Sequence, residues 1–119
     1  MLTICPLSSE QQCMDDWSLP VHVFADKNRD GKPDEQIIRT MPAPGSRSTA
    51  RSRTAGSGYI RFADNGMVNG RTGGIVLCTP GASTELVYLA INKGGRFRAE
   101  YDRDGVGRIL TASGDSITC

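Results

Sequence analysis

The chain has 119 residues and a formal net charge of +1. That length fits one domain, residues 1–119, with a single core, and its longest apolar runs of four or five residues exclude a membrane span or signal peptide within it. The bulk charge points to no partner, but its distribution is lopsided: seven acids against three bases in residues 1–35, then six arginines against Asp64 alone in residues 36–71.

In chain order, Leu2 to Cys5 is apolar and β-branched and predicts a strand ended by Pro6. Ser8 to Asp16 is polar and reads as a loop closed by cysteines, with Trp17 plugging the core beneath it. Val21, Val23 and Ala25 alternate with His22 and Phe24 as a second strand, and after the loop DKNRDGKPDEQ the segment Ile37-Ile38-Arg39 is expected to return as its hairpin partner. His22 has no acid or nucleophile beside it and is read as structural. Residues 42–58, PAPGSRSTARSRTAGSG, have no hydrophobic period and predict a mobile loop. Its Arg47, Arg51 and Arg53 make either a solvated insertion or an anion-binding arm.

Tyr59 to Phe62 predicts a strand that turns at Asp64-Asn65-Gly66. After the glycine-rich Gly70 to Gly74, Ile75 to Thr79 reads as a buried strand carrying Cys78, and Pro80-Gly81 turns the chain onward. The strongest signal is Val87 to Tyr101, VYLAINKGGRFRAEY, an alternating hairpin whose Gly94-Gly95 supplies the positive φ angles of a tight turn. In that register Arg96 and Arg98 share one face, about 6.6 Å apart along the strand, and Phe97 points the other way into apolar company. One more strand is expected at Gly107 to Thr111. No helix and no internal repeat is predicted.

Four cysteines, Cys5, Cys13, Cys78 and Cys119, allow three pairings; with no C-x-x-C spacing and one histidine, disulfides are expected rather than a zinc site. Such bridges imply an oxidising, exported location. Asp26, Asn28, Asp30 and Asp34 follow the spacing of a calcium loop, but Ile37 stands where the closing glutamate belongs and the flanks are strands. A decorated turn accounts for the same residues, with calcium the alternative, and no other cofactor is expected. A single histidine and the absence of a Gly-x-Ser-x-Gly elbow argue against an enzyme. For nucleic acid, Arg96 and Arg98, with Lys93 before them and Arg103 and Arg108 after, could neutralise phosphates without reading bases, and Tyr88 could offer a stacking face.

Gly95-Arg96-Phe97-Arg98 after a strand and glycine turn resembles the Gly-Arg-x-Arg of the GspH/FimT family of bacterial minor pilins and pseudopilins. Leu2-Thr-Ile-Cys5, Trp17-Ser18, Val23-Phe24-Ala25-Asp26, Asn28-Arg-Asp-Gly31, Ile60-Arg-Phe62, Asn65-Gly66 and Ile75-Val-Leu-Cys78 match further family features in order. The resemblance implies pairing of Cys5 with Cys13 and Cys78 with Cys119. It also implies a mainly β pilin head of two-layer antiparallel sheets joined by hairpins. The family's N-terminal helix, which anchors in the inner membrane and packs in the filament, is absent from these residues.

Two functions follow from that resemblance. One is a DNA-binding minor pilin of a type IV pilus that captures extracellular DNA during natural transformation, at the pilus tip or cell surface, with Gly95, Arg96 and Arg98 at the contact. The other is a minor pilin or pseudopilin of type IV pilus assembly or type II secretion that docks on other pilin subunits and touches no DNA. Exposed arginines on one continuous basic patch favour the first. Arginines paired with Glu100, Asp102 or Asp104 favour the second.

Overall fold

The structure, a computed structural model, describes residues 1–43, 45, 48–53, 58–70, 72–79, 85–102, 105–111 and 114–119. The strands are β1 (Leu2–Pro6), β2 (Val21–Ala25), β3 (Arg39–Met41), β4 (Thr49–Ser52), β5 (Ile60–Phe62), β6 (Gly73–Thr79), β7 (Glu85–Ile91), β8 (Phe97–Tyr101), β9 (Arg108–Leu110) and β10 (Ser116–Thr118). One sheet has the order β3-β2-β1-β5, a second the order β4-β6-β7-β8, and β9 pairs with β10 alone; every pairing is antiparallel. No helix among the described residues is long and apolar enough to cross a membrane.

Period-two alternation explains the layering, because successive side chains leave opposite faces of a strand. Ile4 and Val21 of the first sheet pack with Trp17, Ile60 and Val68 against Ile75 and Ile91 of the second. The other face of the second sheet presents Val76, Cys78, Leu86 and Tyr88, which Ile109 and Ile117 of the β9–β10 hairpin cover. Gly74 is required between these layers: a Cβ there would lie 2.2 Å from the Leu89 carbonyl oxygen and 2.9 Å from the Tyr88 ring.

The first sheet's outer face holds Thr3, Cys5, Phe24 and Arg61, all buried. The Ser8–Asp16 segment and the acidic loop cover it; they meet where the Cys13 amide donates to the Gly31 carbonyl at 2.8 Å. Disulfides join Cys5 to Cys13 and Cys78 to Cys119, as the family resemblance implies. The second ties the C-terminal residue to Cys78, near the end of β6.

Several expectations are corrected. The partner of β2 is Arg39–Met41, paired as Val23 with Arg39, not Ile37-Ile38-Arg39; Ile38 is 62% exposed, and only its amide reaches the Val23 carbonyl. The segment read as a loop contains β4, whose Thr49–Ser52 lies along Ile75–Cys78. The chain ends in a further strand, β10, that alternation over three residues could not show. Arg47, Arg103 and the Pro80-Gly81 turn lie outside the described residues.

Candidate interaction site at the hairpin edge

The β7–β8 hairpin turns through Asn92–Arg96. The Gly95 amide donates to the Asn92 carbonyl and the Arg96 amide to Asn92 Oδ1, both at 3.0 Å. Gly95 alone carries the positive φ, +82°, while Gly94 does not, so one glycine rather than two supplies the left-handed turn. A Cβ on Gly95 would also meet the Gly66 carbonyl oxygen at 2.3 Å, which seats this turn against the Asp64–Gly66 turn.

From there the strand register places Ala90 opposite Arg98, Tyr88 opposite Glu100 and Ile91 opposite Phe97. Arg96 and Arg98 are exposed and border one depression with Ala90, Ile91, Asn92 and Phe97. Arg98 does not stand alone: its Nη2 lies 2.5 Å from Glu100 Oε1, two residues along the same face. Beyond it, Arg98, Glu100, Asp102, Val106, Arg108 and Leu110 line an open groove of about 550 Å³ between β8 and β9. Among the described residues, two cations, Arg98 and Arg108, and two acids, Glu100 and Asp102, line this groove. One oxygen of Asp102 accepts from the Gly107 amide at 2.7 Å, and the other is buried without a partner among the described residues.

Among the described residues, Arg108 lines the groove with Arg98, whereas Lys93, Arg51 and Arg53 are engaged elsewhere. Lys93 Nζ donates to the Gly70 carbonyl at 3.1 Å. Arg51 donates to the carbonyl of Thr118, and Arg53 is half-buried, its amide bonded to the Gly74 carbonyl at 2.7 Å. Tyr88 offers no stacking face, since it is 8% exposed within the core and burial pushes its phenol pKa up. Phe97 is corrected too: it is 57% exposed, and its ring company is Phe62, centroids 6.3 Å apart. With Ala99 and Tyr101, the latter 58% exposed, it makes an apolar strip along the edge strand. Alternation alone could not show that strip, because it assigns faces and not what covers them.

The acidic loop is a hydrogen-bonded turn. Asp26 is fully buried; its Oδ2 accepts from Thr3 Oγ1 at 3.0 Å, the Gly31 amide at 3.1 Å and Arg61 Nη2 at 3.2 Å, and its Oδ1 from the Asp30 amide at 3.1 Å. Oxygens of Asp26, Asp30 and Asp34 lie within 4.8 Å of one another. However, Asp34 accepts from the Lys27 amide, and Asn28 directs its amide nitrogen rather than its oxygen at Asp30. The Lys32 amide, with the Asn28 side chain, holds the Asp30 carboxyl below its usual pKa. The charge balancing Asp26 is therefore Arg61, itself 6% exposed, bonded to Thr3 Oγ1 and lying 4.2 Å from the centre of the Tyr59 ring. Donors already engage both oxygens of Asp26 and of Asp30 and one of Asp34, while the three carboxylates stay close enough together to hold a cation. His22, expected to be structural, bonds Thr40 Oγ1 through Nδ1 at 2.9 Å.

Two layered antiparallel sheets with a disulfide-tied tail are the architecture of a pilin-type head, and comparison with known proteins agrees. The family model described as "Type II transport protein GspH" matches residues 1–95. Two crystal structures of the type IV minor pilin FimU of Pseudomonas aeruginosa (strain PAO1) share the fold. One has a TM-score of 0.57 at 16% identity, covering 83% of this chain and 69% of that one. The other has 0.56 at 15%, covering 83% and 72%. No curated protein sequence matches the chain. The chain belongs to the GspH family, the exported minor pilins and pseudopilins of type IV pili and type II secretion.

Proposed function

We propose that this chain acts as one head, residues 1–119, that docks on neighbouring pilin subunits through the exposed side of β8. The observation that carries this reading is the apolar strip of Phe97, Ala99 and Tyr101 on an edge strand whose Arg98 is already paired with Glu100. Exposed aromatic side chains on a rigid sheet supply a contact face at low entropic cost, whereas a phosphate-binding surface needs unopposed cations.

DNA capture at the pilus tip or cell surface is the second reading, and the exposure of both Arg96 and Arg98 on one face favours it. The two readings separate by complementation of a deletion strain with the full-length protein, scoring piliation or secretion, alongside anisotropy titration of labelled duplex DNA with the purified head. Docking requires that Phe97→Ala/Tyr101→Ala abolish assembly while Arg96→Ala retains it and the head ignores DNA at low salt. Full assembly by the aromatic variant, together with salt-sensitive DNA binding lost in the arginine variant, would reverse the conclusion.

A further inference from the structure

The exposed edge of β8 is self-complementary, and we infer that it pairs antiparallel with β8 of a second copy of this chain, centred on Ala99. The inference rests on the docking reading and names its partner. In the order β4-β6-β7-β8, β8 is a terminal strand. The Asn92 amide donates to the Arg96 carbonyl and the Asp102 amide to the Leu86 carbonyl, so the even-numbered residues of this strand turn their backbone groups toward β7. By the alternation of an antiparallel ladder, Phe97, Ala99 and Tyr101 turn theirs outward. A row of outward N–H and C=O groups is a template for another strand.

Charge selects the register. A two-fold axis through Arg98 or Glu100 would set like charges directly opposite each other, which opposes pairing. An axis at Ala99 sets Arg98 opposite Glu100 and Phe97 opposite Tyr101, each twice. In that register the outward groups of Phe97, Ala99 and Tyr101 form the inter-strand bonds. Arg98 and Glu100 then fall in the narrow, non-hydrogen-bonded pairs, with Cα atoms about 4.5 Å apart and side chains closest. Each Arg98 keeps the Glu100 of its own strand at 2.5 Å and gains that of the other copy, so four charges alternate around the axis. On the opposite face the exposed rings of Phe97 and Tyr101 meet beside the small Ala99.

The other edges of the two four-stranded sheets lack this pattern. β4 carries a single charge, Arg51, bonded to Thr118; β3 has three residues with Arg39 unmatched by an acid; and β5 is bridged from Phe62 to Val68. Phe97–Tyr101 contains neither lysine nor proline, the residues that keep edge strands apart.

Sedimentation equilibrium of the purified head tests the pairing, with thermal melts confirming that each variant folds. Wild type and the charge-swapped Arg98→Glu/Glu100→Arg variant should self-associate alike. Arg98→Glu and Glu100→Arg alone should each weaken association at least about tenfold, since every cross-axis pair becomes like-charged. Mixing the two single variants should restore it, because one strand then carries two acids and the other two bases. A monomeric wild type, single variants that associate undiminished or a mixture that stays apart would overturn the inference. If that happens while Phe97→Ala/Tyr101→Ala still blocks assembly in cells, docking stands with a different subunit as partner. The charge pattern holding while every variant assembles pili or secretes normally would instead remove the docking reading.

Discussion

Replacing Arg61 with methionine tests whether the head is held together by a buried ion pair. Arg61 and Asp26 are 6% and 0% exposed, so removing the cation leaves a carboxylate in a site that water does not reach. Breaking a buried pair in this way costs about 3–5 kcal/mol. Three neutral donors, Thr3 Oγ1 and the Gly31 and Asp30 amides, remain on Asp26 and place the loss at the lower end, about 3 kcal/mol. With 119 residues and about 2.1 cal/mol/K of unfolding entropy per residue, that is a fall of about 12 °C in melting temperature.

Trp17, 5% exposed in the core between the sheets, reports unfolding by its fluorescence in a urea titration. Asp26→Asn strands the guanidinium instead, and the double variant should lose less than the sum of the two single losses by about 1–3 kcal/mol. A loss below about 1 kcal/mol for Arg61→Met, or strictly additive losses, would show that the pair contributes no more than a surface contact does.

The two disulfides should contribute unequally. Their sequence separations are 41 residues for Cys78–Cys119 and 8 for Cys5–Cys13, so loop-closure entropy predicts losses of about 4 and about 2.5 kcal/mol for the paired alanine variants. Reduction should lower the melting temperature of the wild type; an unchanged melt would refute the C-terminal tie. Tyr88 predicts an alkaline limit: burial raises its folded pKa above the ordinary value of 10.0, so its contribution is complete below about pH 10 and is lost as pH rises through the raised value. Melts across that range should fall less steeply for Tyr88→Phe than for wild type, and parallel curves would show that Tyr88 does not set the limit.

The strand plan was legible wherever alternation ran for five residues or more, as in Val21–Ala25 and Glu85–Ile91. It failed at Thr49–Ser52, where Thr-Ala-Arg-Ser has no apolar rhythm and strand form comes from pairing with β6. Arg61 shows a second limit. In a list of basic residues it looks like any other, but its position opposite Thr3 puts it on a covered face, and only Asp26, 35 residues away in sequence, makes that tolerable. The hairpin arginines show a third. Gly95-Arg96-Phe97-Arg98 was visible as a feature, yet its meaning depends on the β9–β10 hairpin, which covers Tyr88 but leaves the outer strand β8 exposed. Alone, Arg98 suggests an anion; with Glu100 on the same strand face at 2.5 Å, it becomes half of a dipolar pair. A symmetric partner strand would add a second Glu100 to that pair, whereas a phosphate would meet a guanidinium whose charge Glu100 already partly offsets.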